Sequence, residues 1–114
     1  MSISHSDVGN DLRRIVISGR LDIPGTDSVS ATLEKLVAAP KKGVVVDLST
    51  LQFLASIGIR ALITSAKAVQ QRGGRMVLVV DGAASVLMSL EATGVDQLIP
   101  VFKNAAEAER AAIA

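Results

Sequence analysis

The chain has 114 residues, of which 49% are hydrophobic and 20% charged, and its formal net charge is +1. This length and composition predict one folded domain and exclude a disordered chain. The near balance of acidic and basic residues disfavours charge-driven binding to nucleic acid or to an anionic membrane, and the absence of cysteine excludes a disulfide scaffold, a thiolate nucleophile and a cysteine-ligated metal.

The N-terminal part of the chain predicts two strands. Residues 3–8 are weakly strand-like, and Gly9 and Asn10 after them are typical of a turn. Residues 14–21 then alternate between two faces, one of which carries Ile15, Ile17, Gly19 and Leu21. We therefore expect a β-hairpin whose second strand is half exposed.

A helix and a buried strand are expected next. Pro24 and Gly25 are expected to break the strand pattern, and helical periodicity follows over residues 26–39 until Pro40 ends it. The apolar stripe of this helix consists of Val29, Leu33, Leu36 and Val37. The β-branched run within residues 43–48 then predicts a strand that is buried on both faces.

The second half of the chain continues this alternation. The predicted elements are a helix over residues 56–72, a strand over 76–80, a helix over 84–93 and a strand over 98–102. Gly73 and Gly74 suit a left-handed cap after the first of these helices. Asn104 is the expected N-cap of a final helix, because Glu107 three residues later gives a capping-box pattern.

The order of predicted elements is β β α β α β α β α, which is typical of an α/β fold. Strands that alternate with crossover helices form a mainly parallel sheet. We predict a mixed sheet of about five strands flanked by about four helices, with an antiparallel hairpin at the N-terminus. The prediction places residues 1–114 in a single domain.

Signals for export or membrane insertion are not found. Residues 1–7 carry neither a basic flank nor an apolar run, and the longest dense apolar stretch, residues 76–80, is far shorter than the roughly 20 residues of a membrane helix. Phe53 and Phe102 are the only aromatic residues, which disfavours a base-stacking surface. We expect a complete small cytoplasmic protein with no nucleic-acid partner and no direct membrane insertion.

The motifs of common enzymes are also missing. The chain has no glycine-rich dinucleotide loop, no Walker-type loop and no Gly-x-Ser-x-Gly elbow. A catalytic triad would depend on His5, the single histidine, which is more simply a solvated residue of the leading segment. Asp22 and Asp47, at strand ends, could be catalytic or metal ligands, but we favour hydrogen bonding of Asp47 to the loop at Ser49 and Thr50.

Residues 47–60 are the most informative segment, because a strand ends, an apolar loop follows and a helix opens at Ser56. In open α/β sheets, functional groups collect at the carboxyl ends of the strands. Periodicity by itself favours Ser56 as an N-cap. The same geometry would let a phosphate on Ser56 receive the free N–H groups and the helix dipole. Gly58 would let a partner or a kinase approach the backbone closely.

Three motifs together resemble the STAS domain, and specifically bacterial anti-sigma factor antagonists (anti-anti-sigma factors) of the sporulation and stress-response type. Residues 19–22, Gly-Arg-Leu-Asp, are similar to the family's Gly-x-Leu-Asp signature, and residues 46–49 to its central strand. Residues 53–58, Phe-Leu-Ala-Ser-Ile-Gly, are similar to its Phe-Met-Asp-Ser-Ser-Gly loop. The resemblance covers about residues 3–105 and implies a STAS-like fold.

The resemblance implies a partner switch in transcription regulation, with no enzymatic activity and no cofactor. In the family, the unmodified protein binds an anti-sigma factor that is an ATP-dependent serine kinase, and thereby frees the sigma factor. Phosphorylation causes release, and a serine phosphatase restores the protein; by position, Ser56 is the matching phosphorylation site. The residues implied at the partner surface are Asp22, Gly25, Thr26, Leu54, Ala55, Ile57, Gly58, Ile59 and Arg60.

Ala55 and Ile57 depart from the family pattern, which often has Asp and Ser at these places. Loss of the Asp removes a charge beside the expected phosphate, which either eases phosphorylation or deletes a contact to the kinase. A member that binds its partner without being phosphorylated is therefore one alternative. Leu54 and Ile57 are expected to form an exposed patch that serves either the partner or a homodimer.

Two further classes of function stay open. The first is a STAS subunit that docks on a membrane lipid transporter complex, since STAS domains also occur fused to anion transporters. The second is a nucleotide-binding or enzymatic α/β protein, which the missing phosphate-binding motifs disfavour. Co-purification with a transporter ATPase would favour the first, and a nucleotide-dependent thermal shift of the isolated chain would favour the second.

Overall fold

The fold is an α/β sandwich built on a six-stranded mixed sheet. The structure is a computed structural model that describes residues 2–38 and 41–114. Its strands are β1 (Ser2–Val8), β2 (Leu12–Leu21), β3 (Gly43–Asp47), β4 (Leu51–Leu54), β5 (Arg75–Val79) and β6 (Val101–Phe102). Its helices are α1 (Ile23–Ala38), α2 (Ser56–Gln71), α3 (Ala84–Ala92) and α4 (Ala105–Ile113), with a 3-10 turn at Val95–Gln97.

The sheet has the strand order β1-β2-β3-β5-β6. Strands β1 and β2 form the predicted antiparallel hairpin, in which Ser4 lies opposite Val16, and the other pairs are parallel. The predicted mixed sheet with an N-terminal hairpin is therefore confirmed. Strand β4 was not predicted, and it lies off the main order because it pairs with the last residues of β2.

The two faces of the sheet are covered very differently. The β-branched run Val44–Val46 is fully buried, as predicted, because its residues alternate between the two faces. Val44 and Val46 belong to the large core beneath α1, α2 and α3. Val45 belongs to a smaller cluster in which Ala108 and Ala112 of α4 cover the opposite face.

Helix α1 begins earlier than the sequence predicted. Pro24 and Gly25 do not interrupt the chain but lie in the first turn of this helix, where a missing N–H costs nothing. The Gly25 N–H donates to Asp22 Oδ1 at 2.9 Å, so Asp22 acts as the N-cap. The predicted stripe of α1 is buried throughout, whereas the predicted stop at Pro40 lies outside the described residues.

Two predicted helix ends are confirmed in detail. Gly73 follows α2 with a φ of +84°, and the N–H groups of Gly73 and Gly74 donate to the carbonyls of Gln70 and Val69 at 3.0 and 2.9 Å. This pair of bonds is the Schellman arrangement, which satisfies the last carbonyls of the helix. At α4, the Asn104 side chain accepts a hydrogen bond from the Glu107 N–H at 3.1 Å.

Candidate partner-binding surface

Strand β4 fixes the start of α2 against the end of β2. The register shifts at Gly19, which has a φ of +96°, and Leu21 then lies opposite Leu54. One residue later, the Ala55 N–H donates to the Leu21 carbonyl at 3.0 Å. The N-termini of α1 and α2 therefore lie side by side at the carboxyl edge of the sheet, the edge where α/β proteins collect functional groups.

Ser56 is exposed and is the first residue of α2, so the prediction that it is the N-cap is wrong. The N-cap is Ala55, which has an extended backbone (φ −88°, ψ 169°) and makes no side-chain capping bond. The first N–H groups of a helix have no partner within the helix, and here no capping side chain covers them. The exposed Ser56 therefore lies beside a positive helix end.

Gly58 has an internal role that the sequence did not indicate. Its backbone is buried, and a Cβ atom at this position would lie 2.8 Å from the Leu21 Cβ and 3.0 Å from Leu54 Cδ1. The space left by the missing side chain is therefore filled by this protein's own β2 and β4. An approach of a partner or a kinase to the backbone at Gly58, as the sequence suggested, is blocked by these side chains.

The residues predicted at the partner surface divide by depth. Arg60 is exposed, as is the predicted phosphorylation site Ser56, and Asp22, Ala55 and Ile57 are half-buried. The buried members of the predicted set are Gly25, Thr26, Leu54, Gly58 and Ile59. Leu54 is only 4% exposed, so the expected exposed patch of Leu54 and Ile57 does not exist as such. The buried residues position the exposed ones from beneath.

Two exposed apolar residues near this edge were missed by sequence reasoning. Ile23 is 65% exposed directly after the Asp22 cap, and Phe53 is 41% exposed in β4. The Arg20 guanidinium carbon lies 4.5 Å from the centroid of the Phe53 ring, a cation–π contact. The sequence could have indicated the importance of Phe53, because it is one of only two aromatic residues in the chain and belongs to the loop motif quoted above.

A groove of about 540 Å³ runs between α1 and α2. Ile57 and Arg60 line it from α2, while Asp27 and Glu34 line it from α1. Thr26 also lines this groove, and its buried hydroxyl has no hydrogen-bond partner among the described residues. Ile57, the residue after Ser56, lines this groove, so the surface next to that serine continues between the two helices.

The other candidate polar residues near the end of β3 form hydrogen bonds and an ion pair within the protein. Asp47 Oδ1 accepts the Ser49 N–H at 2.9 Å, as predicted, and the Asp47 carboxylate lies 3.7 Å from Arg14. Thr50 pairs instead with the hydroxyl of Ser18 at 2.9 Å. Within residues 2–38 and 41–114, no group of three or more His, Cys, Asp or Glu residues is arranged to hold a metal ion.

His5 lies in a paired β-strand and not in a flexible N-terminal segment. It occupies the middle of β1, opposite Ile15 of β2, and its side chain is exposed.

In the part of the chain that the structure describes, no helix has the length and apolarity needed to cross a membrane.

Comparison with known proteins agrees with this geometry. The sequence model of the family described as STAS domain matches residues 8–108. The anti-sigma F factor antagonist of Paenibacillus polymyxa is 28% identical over 89 residues, which cover 77% of this chain and 75% of that protein.

Two solved structures extend the likeness to the fold. An anti-sigma factor antagonist from Mycobacterium paratuberculosis superposes with a TM-score of 0.85 at 23% identity, over 97% of this chain and 94% of the other. A sulfate transporter family protein from Wolinella succinogenes gives a TM-score of 0.73 at 16% identity, over 94% of this chain and 88% of the other. At 23% and 16% identity, these similarities show a shared fold alone.

Proposed function

The chain belongs to the STAS domain family, and from that premise we propose that it acts as an anti-sigma factor antagonist. In its unmodified form, it binds an anti-sigma factor that is also a serine kinase, and this binding frees the sigma factor. Phosphorylation of Ser56 releases the complex, and a serine phosphatase restores the unmodified protein. The name of the Paenibacillus relative supports this assignment.

The observation that carries the proposal is the position of Ser56. It is exposed, it opens α2, and its hydroxyl is not used to cap the helix. A phosphate here adds a charge of about −1.5 to −2 at neutral pH. Because the uncapped start of α2 tolerates negative charge, the modified protein stays folded.

Release then results from the cost of the new charge at a surface that carries apolar groups. Ile57 is half-buried next to the serine, and Ile23 and Phe53 are exposed at the same edge of the sheet. A docked partner covers such side chains and removes their water. Burying a phosphate among such side chains is strongly unfavourable, because its charge loses the surrounding water.

The direct test is to incubate the protein with a candidate kinase and ATP, and to map any phosphate by intact mass and peptide analysis. We expect one phosphate on Ser56 and none in Ser56→Ala. Ser85→Ala is the matched control, because Ser85 is also exposed in the first turn of a helix whose N-cap makes no side-chain bond. No phosphate under conditions where the kinase is active would contradict the proposed switch.

A second candidate function is that of a STAS subunit docked on a membrane transporter complex. The observation in its favour is the fold likeness to the sulfate transporter family protein. Affinity purification of the tagged chain distinguishes the two proposals. Recovery of a transporter ATPase without a serine kinase would favour the transporter subunit, whereas recovery of the kinase would favour the antagonist.

A further inference from the structure

Arg60 lies one helical turn after Ser56, and both side chains are exposed. Residues four apart on a helix are neighbours on its surface, and an acidic group N-terminal to a basic one is the favourable order. Helix α2 contains no carboxylate, and its only other cation is Lys67. Arg60 therefore has no anionic partner on its own helix.

Contacts from other elements also leave Arg60 available. Asp27 and Glu34 line the opposite wall of the groove between α1 and α2. Neither pairs with Arg60, because the ion pairs found among the described residues involve other arginines and Lys41. Among the described residues, the guanidinium therefore has no ion-pair partner, and Arg60 lines the groove one helical turn after the position of a future phosphate.

We propose that Arg60 binds the phosphate on Ser56 when the protein is modified, and thereby turns away from the groove between α1 and α2. A guanidinium and a phosphate form short, charge-assisted and often bidentate hydrogen bonds. At equal distance, a phosphate dianion attracts a guanidinium more strongly than the single charge of a carboxylate such as Asp27 or Glu34 does. Phosphorylation then changes two parts of the surface, the serine itself and the cation beside Ile57.

This inference rests on the proposed function only in taking Ser56 as the modified residue. Its test does not need the kinase, because phosphoserine can be incorporated at position 56 during translation. A negative kinase assay would contradict the proposed function without affecting this experiment. A negative result here would contradict the role of Arg60 without affecting the kinase assay.

The experiment is a phosphorus NMR titration of the phosphoserine protein with the native residue, Gln or Lys at position 60. The second pKa of phosphoserine is about 6, and a bound guanidinium lowers it by favouring the dianion. We expect Arg60→Gln to raise this pKa by about 0.3 unit or more, and Arg60→Lys to restore part of the lowering because it keeps the charge.

The matched control is Lys67→Gln, which removes the other cation of α2 at an exposed site three turns from Ser56. We expect this variant to leave the phosphate pKa within about 0.1 unit of the parent protein. An unchanged pKa in Arg60→Gln would overturn the inference. An equal rise in Arg60→Gln and Lys67→Gln would also overturn it, because the effect would then reflect net charge and not a specific contact.

Discussion

Arg13 holds Asp7 through two hydrogen bonds across the N-terminal hairpin. Its Nε donates to Asp7 Oδ1 at 2.7 Å and its Nη2 donates to Asp7 Oδ2 at 3.0 Å. The remaining Nη1 donates to the Leu36 carbonyl at 3.1 Å, and Lys41 lies 3.5 Å from the same carboxylate. The pair therefore ties β1 to β2 and ties both strands to α1.

This contact predicts a loss of stability in acid. Hydrogen bonding from Arg13, with the charges of Arg13 and Lys41, lowers the pKa of Asp7 from 3.8 to about 2. Because the pKa is lower in the folded state, the stabilisation is complete above about pH 5 and is lost as the pH falls toward 2. Urea unfolding should show a stability difference between the native protein and Asp7→Asn that shrinks over this range. A difference that stays constant over this range would contradict the expected effect.

Gly58→Ala should destabilise the protein. Helix propensity alone predicts a gain of about 1 kcal/mol from this change. The new Cβ, however, would lie 2.8 Å from the Leu21 Cβ and 3.0 Å from the Leu21 carbonyl oxygen, so α2 must move away from β2. We expect a net loss of about 1–3 kcal/mol in urea unfolding. Since the two effects have opposite signs, a stabilised variant would refute the packing role.

Asp22→Ala should weaken the start of α1. The change removes the bond between Asp22 Oδ1 and the Gly25 N–H, and we expect a cost of about 1 kcal/mol. Asp22→Asn should retain most of the stability because its amide oxygen can accept the same bond. If Asn proved as costly as Ala, the ion pair of Asp22 with Arg20 at 3.5 Å would be the more important contact.

Ser56→Asp should weaken binding to the anti-sigma factor by about tenfold or more, which corresponds to about 1.4 kcal/mol. Ser56→Ala should bind like the native protein and resist release by ATP. Calorimetric titrations give both affinities, and Ser85→Asp controls for added charge at another exposed helix start. Equal affinities of the native protein and its confirmed Ser56 phosphoform would rule out release by phosphorylation.

The parts of the fold that the sequence predicted correctly are those with strong periodicity or specific capping chemistry. The four-residue stripe of α1, the run Val44–Val46 and the cap at Gly73 each follow from local rules that tertiary contacts reinforce. Pro24 was misread because a proline breaks a strand as readily as it begins a helix. The Asp22 cap decided between these outcomes.

The errors at the candidate site arise from contacts distant in sequence. Strand β4 has only four residues, and its pairing with β2 depends on the irregular register at Gly19. The motif predicts a loop with Leu54 at the surface, but the pairing of β4 with β2 buries this side chain. The location of Ser56 could be predicted from the motif, whereas the depth of its neighbours could not.

The bond between Ala55 and Leu21 also has a consequence for the kinetics of binding. The segment before Ser56 is held against the sheet by the backbone pairing of β4 with β2 and by the buried side chain of Leu54. A partner that docks here meets a preorganised surface and does not have to order a flexible loop, so association costs less conformational entropy. Substitutions at such a surface are expected to change affinity mainly through the dissociation rate.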